Sequence, residues 1–466
     1  MTSTSKKLAV VITDGVGFRN FVLSDFFVEA AQNFEEVVIL SCLPASVYTG
    51  VTECRIIELD VFEEHFFTWF FRKTKEVVHL QNYKKGNFGI TDNLNTNKSK
   101  SKSPRGYATR FIFKITSLFH SEKWISFFHK LQQNTFKNKS ITNGYLKILE
   151  KEKPDQLFFT HQRPPYIAPL VYAAHKLNIN TLAFIFSWDN LASKGRMAAD
   201  FKNYMVWSEL MKSDLLRFYK NVKAEAIEVV GTPQFEPYVL SRYASTLKEF
   251  QDQFSLKADL QTVCFSCGDI STSKNDELYI ETIAEALQQG QLPQFNFIVR
   301  TSPAEDPIRF KEISAKYPFI IWNYPDWKIS RHGHQEAWSQ RVPCVDDVKR
   351  LRAILEFSDI SINMLSTMSL DFMQFDKPVI NPVFGTENNG LYNDGRFLNY
   401  EHIEHVVKSN ATKIAKNKTE LIEAIQFYLA NPNANHTERQ LLLAQQIGKP
   451  LKGTSERIAK TLRQWV

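Results

Sequence analysis

At 466 residues the chain is too long for a single compact core, so two domains are the expectation. With 43% hydrophobic and 23% charged residues, and 37 Phe to fill its cores, it is not a disordered polypeptide. No run reaches the roughly 18 to 20 apolar residues that cross a bilayer, and MTSTSKK leads into the strand-like LAVVIT without a signal-type apolar core, so a cytoplasmic protein is expected.

In chain order, the first half offers KLAVVIT, EVVILSC, CRIIELD, QLFFTHQ, TLAFIFS, NYMVWS and IEVVGT as apolar strands separated by helical patterns. Such alternation predicts an α/β fold, a parallel sheet covered by helices on both faces. After the first run comes ITDGVGFRN, where Asp14 is a candidate general base, and Gly15 and Gly17 permit close approach of an acceptor. An Asp in this place also serves as an ordinary helix cap.

Residues 72–140 interrupt the alternation. From Arg72 to Lys139 there are fifteen Lys or Arg against three acids, so this stretch carries more positive charge than the whole chain's +7. NLNTNKSKSKSPRG reads as a surface loop, and RFIFKITSLFHSEKWISFFHK mixes aromatic and basic residues at helical spacing. Two expectations stand: a helical insertion packed on the first domain, or an amphipathic surface on the anionic inner face of the cell membrane. No motif supports nucleic-acid binding.

FFTHQRPP then places His161 at a strand end with a pKa range suited to base work, beside Arg163, which either contacts an anionic acceptor or only makes a salt bridge. The next strand releases SWDNLASKGRM. Here Trp188 is placed to stack on a sugar or base, Asp189 and Asn190 to bind hydroxyls, and Lys194 and Arg196 to neutralise a diphosphate. The plain alternative is a polar turn that caps the following helix.

GTPQFEPYVLSRYA, with its Gly-Thr-Pro turn, predicts a boundary between a domain of residues 1–235 and a second of residues 236–466. The last helix, SERIAKTLRQWV, is able to pack back on the first domain. The second half offers TVCFSCG, FNFIVRTS, FIIWNYP, DISINM and KPVINPVF as strands. Cys264 and Cys267 lie inside an apolar run without further ligands and read as core residues. His332 and His334 likewise lack companions, and no metal is expected.

Three loops of this half fall at strand ends, where open α/β sheets collect ligands. CGDISTSKNDE begins with Gly268, Arg300 closes the next strand, and LSTMSLDFMQFDKPVINP sets Ser366, Thr367 and Ser369 where a helix begins. Free N–H groups and hydroxyls there suit a phosphate, with Asp371 one turn on toward a ribose hydroxyl. A nucleotide diphosphate site is the joint reading, in a cleft between the domains.

LSTMSLDFMQFDKPVINP resembles the Ser-rich turn, acidic helix residue and Pro-Val-Ile strand of the GT-B superfamily of nucleotide-sugar glycosyltransferases. SWDNLASKGRM, VWSE and VVGTPQFEPY are similar to bacterial surface-polysaccharide enzymes, including relatives of CDP-glycerol glycerophosphotransferases. The resemblance implies two Rossmann-like domains facing a cleft, the first binding the acceptor and the second the donor nucleotide. It also implies diphosphate stabilisation by protein groups, without metal or cofactor. Two features depart from the pattern: Asp371 replaces the Glu of many relatives, and Asn363 and Met364 replace the His-Gly pair of some.

The expected function is transfer of a sugar from a nucleotide diphosphate donor to a hydroxyl of a glycan or lipid-linked acceptor. The alternatives are a glycerophosphotransferase, a UDP-sugar 2-epimerase of the same architecture, and a non-catalytic membrane-surface protein.

Overall fold

The computed structural model describes residues 6–386 and 394–466. Its contacts divide the chain into two units: Met1–Glu236 with Ile329–Val342 and Gln446–Val466, and Pro237–Lys328 with Pro343–Gln445. Residues 329–342 and 446–466, assigned from sequence to the second domain, thus group with the first.

The seven apolar runs of the first half are the strands of one parallel sheet: β1 (Lys7–Ile12), β2 (Glu36–Ser41), β3 (Arg55–Glu58), β4 (Gln156–Phe159), β5 (Asn180–Phe184), β6 (Asn203–Val206) and β7 (Ile227–Val229). Residues 8–12 of β1 are wholly buried, as expected of a strand covered on both faces. The order is β3-β2-β1-β4-β5-β6-β7. The chain therefore winds outward from β1 on one side and resumes at β4 on the other, which makes the β1/β4 border the switch point, where loops diverge and leave room for chemistry.

Between β3 and β4 run five helices, Phe66–Tyr83, Phe88–Thr96, Pro104–Thr116, Glu122–Asn134 and Ser140–Glu152. The third and fourth both pack on the first of these. Helix Thr454–Gln464 packs on helix Phe26–Asn33, with Ile458 and Leu462 fully buried. Gln156 Nε2 donates to the Leu462 carbonyl at 2.9 Å, and the Ser455 N–H donates to Glu236 at 2.9 Å.

The second unit contains β8 (Thr262–Ser266), β9 (Asn296–Arg300) and β10 (Ile321–Asn323). A two-stranded ribbon of β11 (Trp327–Ile329) and β12 (Arg341–Pro343) follows, then β13 (Ile360–Ile362), β14 (Val379–Pro382) and β15 (Lys413–Ala415). The main sheet has the order β10-β9-β8-β13-β14-β15, and its neighbouring strands pair in parallel. Its switch point is the β8/β13 border. Tyr279, Ile283, Phe297, Val299, Ile360 and Ile380 are among the buried residues of its core.

Candidate functional site

The loops after β1 and β4 bring together two residues 147 positions apart. His161 Nδ1 lies 2.8 Å from Asp14 Oδ2, and both side chains are buried. Asp14 begins the short turn Gly15–Gly17, and its Oδ1 accepts the Val16 and Gly17 N–H groups at 3.0 and 2.8 Å. The Thr13 hydroxyl donates to Oδ2 at 2.9 Å. Thr160 mirrors Thr13 from the neighbouring strand, with the two hydroxyls 3.4 Å apart.

These contacts fix the charge state. Burial alone raises the Asp14 pKa, but His161, Gly17 and Thr13 together hold it below its ordinary value. Burial, aided by Arg163, holds His161 below its ordinary value against the pull of Asp14. The pair is therefore carboxylate and neutral imidazole at pH 7. Because the carboxylate only accepts, Nδ1 carries the hydrogen, leaving the lone pair on Nε2. The imidazole stacks on Phe186, with centroids 3.8 Å apart and planes 15° apart, and the Trp338 ring lies 6.2 Å away. Asp14 thus caps the turn and holds the His161 ring at once, whereas the sequence had set a general-base reading of Asp14 against a plain helix cap.

The glycines act differently from expectation. A Cβ on Gly15 would stand 1.6 Å from the Arg341 carbonyl oxygen, and one on Gly17 would stand 2.7 Å from Thr160 Oγ1. Both let protein pack against protein, so neither opens a path for an acceptor.

SWDNLASKGRM also turns largely inward. Arg196 is 5% exposed, donates to the Phe218 carbonyl at 2.9 Å and lies 4.1 Å from the Tyr219 ring centroid. Tyr219 and Phe218 close over it from a later helix end, so it does not serve a diphosphate. Lys194 remains partly exposed and pairs with Asp189 at 3.3 Å. Asn190 is held between Gln162 and Asp189, each at 3.0 Å, and Trp188 is buried. Arg163 donates to the Gly195 carbonyl at 3.3 Å.

At the second switch point, Asn363 follows β13 and organises the loop. Its Oδ1 accepts the Ser366 N–H at 2.9 Å and the Ser369 hydroxyl at 3.0 Å, while Asn381 Nδ2 donates to its carbonyl at 2.8 Å. Leu365 adopts a left-handed backbone, φ 47°, to make this turn. Ser366 and Thr367 are half-buried at the start of helix Met368–Met373, and Thr367 makes no side-chain cap bond. Asp371 is buried, and the Tyr238 hydroxyl donates to it.

The charged candidate on this sheet is committed elsewhere. Arg300, 6% exposed, is paired with Asp347 at 2.8 Å and also donates to Asn323. Asp347 further accepts the Trp327 indole N–H at 3.0 Å. Arg300 therefore braces β9 to its neighbours and is not free for a phosphate. Gly268 donates to Asp276 and accepts from Arg309, both at 2.9 Å, and a Cβ there would stand 2.0 Å from Ser273 Oγ.

Cys264 and Cys267 are buried free thiols, and burial pushes Cys264 up to about 12. His334 is buried with its ring edge on Tyr166, while His332 is exposed. Sequence reasoning missed Thr13, Thr160, Phe186 and Asn363 as organisers. The repeated pattern of a strand, a Thr and then a titratable residue, in ITDG and FTHQ, was a usable signal for the first two.

No protein-family model and no curated protein matches the chain. Solved structures do. The fold is similar to that of an S. aureus MnaA–UDP co-structure, at 11% identity, 99% of this chain, 96% of that chain and a TM-score of 0.55. It is also similar to a UDP-GlcNAc 2-epimerase from Neisseria meningitidis bound to UDP-GlcNAc, at 13% identity, 98% of this chain, 100% of that chain and a TM-score of 0.52. A glycosyltransferase from Rickettsia africae ESF-5 matches at 12% identity, 99% of this chain, 98% of that chain and a TM-score of 0.53. The two parallel-sheet units have the GT-B kind of fold.

Proposed function

We propose that the chain is an enzyme acting on nucleotide sugars, and specifically a glycosyltransferase of surface-polysaccharide synthesis. The observation that carries this reading is the Asp14–His161 pair at the β1/β4 switch point. In the proposed step His161 Nε2 takes the proton of an acceptor hydroxyl as its oxygen bonds to the anomeric carbon. The bond from that carbon to the diphosphate oxygen breaks, and the nucleoside diphosphate leaves with the electron pair. Asp14 holds the ring in the required tautomer and stabilises the imidazolium that forms. The Ser366 and Thr367 hydroxyls are the donor-phosphate contacts of this reading.

A second reading is a UDP-sugar 2-epimerase, favoured by the Neisseria meningitidis structure, whose fold this chain shares. The same imidazole would then remove a proton from the donor sugar itself. Incubation with UDP-, GDP- and dTDP-sugars and with CDP-glycerol separates the readings. Acceptor-dependent release of nucleoside diphosphate supports transfer. Acceptor-independent change at sugar C2, with solvent deuterium incorporated there, supports epimerisation. CMP release from CDP-glycerol identifies a glycerophosphotransferase, and no nucleotide binding by calorimetry leaves a non-catalytic protein.

A further inference from the structure

Helices Pro104–Thr116 and Glu122–Asn134 each bury one face and expose another. On the first, Thr109, Ile112 and Thr116 are buried, whereas Tyr107, Arg110, Phe111 and Lys114 are exposed. Positions 107, 110, 111 and 114 recur at the spacing of one helical stripe. On the second, Ile125, Phe128 and Gln132 are buried while Lys123, Phe127 and Lys130 are exposed, again one stripe.

Both helices pack on helix Phe66–Tyr83. The turn joining them presents Leu118, 77% exposed, and Phe119, 45% exposed. Ring contacts run from Phe119 to Trp124 at 5.1 Å and from Trp124 to Phe127 at 5.5 Å, which makes the apolar part of the turn continuous with the second stripe.

The charge on these elements is of one sign. Residues 98–139 contain ten Lys or Arg and a single acid, Glu122. That acid is engaged internally, accepting the Tyr83 hydroxyl at 2.6 Å with Arg196 3.7 Å away. Lys114, Lys123 and Lys130 have no ion-pair partner among the described residues. No helix among the described residues is long and apolar enough to cross a membrane, so any lipid contact of these helices would be lateral.

We propose that these two helices and the turn between them dock the protein on an anionic lipid bilayer. Phe111, Leu118, Phe119 and Phe127 enter the interface, and Lys114, Lys123 and Lys130 meet headgroup phosphates. Charge complementarity selects the anionic surface. The exposed aliphatic tip at Leu118 selects lipid over nucleic acid, because an aliphatic tip gains little from a phosphate backbone and much from an acyl boundary.

The test is co-sedimentation of the full chain with phosphatidylglycerol–phosphatidylcholine vesicles and with phosphatidylcholine alone. Wild type should bind the anionic vesicles, weaken as salt screens the charges, and keep a salt-resistant remainder from apolar insertion. Lys114→Glu/Lys123→Glu/Lys130→Glu should lose on the order of a hundredfold in binding to anionic vesicles. Phe111→Ser/Leu118→Ser should abolish the salt-resistant remainder. All substituted positions are exposed, so unchanged thermal melting is expected and serves as the folding control. Absence of binding to anionic vesicles at low salt overturns the proposal. So does equal binding to neutral vesicles, or duplex RNA binding through the same lysines without vesicle binding.

Discussion

The two sheets wind in the same way, yet their switch points hold opposite kinds of chemistry. At the β1/β4 border the protein keeps an ionised carboxylate and a neutral imidazole buried together, with one lone pair left on Nε2. At the β8/β13 border the central residue is the neutral Asn363, which shapes a loop of hydroxyls. Arg300 with Asp347 and Arg309 with Glu305 are ion pairs locked into that unit's own framework. One topology thus supplies a proton acceptor in one copy and a shaped, uncharged cradle in the other. A cation at a strand end does not by itself mark a phosphate site.

The contrast is broken most directly at His161. His161→Ala and Asp14→Asn should each lower turnover roughly 10²- to 10⁴-fold, with nucleotide affinity unchanged by calorimetry. In the wild type the acid limb of kcat/KM should fall as His161 protonates, with its midpoint below the ordinary imidazole value of about 6.5. Stability follows the same sign. A histidine kept neutral by burial favours the unfolded state as pH drops below the unfolded pKa, so this pair contributes less at acid pH. A midpoint above the ordinary value would overturn the assignment.

Arg300→Ala tests the other side of the comparison. Removing one partner of a buried ion pair leaves Asp347 with the Trp327 indole and the more distant Arg350, 4.0 Å away, and urea unfolding should show a loss of about 3 kcal/mol. A stable variant with weakened nucleotide binding would return Arg300 to the phosphate role. Ser366→Ala with Thr367→Ala should instead leave unfolding unchanged while weakening nucleotide diphosphate binding, by about 1.5 to 3 kcal/mol for each hydrogen bond lost. The smallest effect is expected at Phe186. Phe186→Leu removes the ring stacked on His161, and a stacking contribution of about 0.5 to 1.5 kcal/mol translates into a few-fold lower kcat.

The strands were readable because buried parallel strands are continuous apolar runs, which local sequence displays, and all twelve such runs lie in the two sheets. Strands β11, β12 and β15 were not, since Trp327–Ile329, Arg341–Pro343 and Lys413–Ala415 each carry a Lys or Arg and belong to no continuous apolar run. The site was legible in its parts only. Asp14 and His161 each stood out as bases, but their union depends on β1 and β4 being neighbours across 147 residues. The direction of a long side chain is less legible still. Arg196 looked like a ligand group because nothing local reveals that Phe218 and Tyr219 receive it, and Arg300 because Asp347 lies 47 residues away.

The return of helix Thr454–Gln464 to helix Phe26–Asn33 has a consequence for biosynthesis. A ribosome makes the strands of the first sheet early, yet the helix that covers Phe26–Asn33 and satisfies Glu236 and Gln156 emerges after the whole second unit. At ordinary elongation rates the first unit waits roughly 10 to 50 s, partly uncovered, before it can close. The second unit, all of whose segments precede Gln446, has its full sequence available sooner. Vectorial synthesis therefore reverses the order in the gene: the unit begun first is the one finished last.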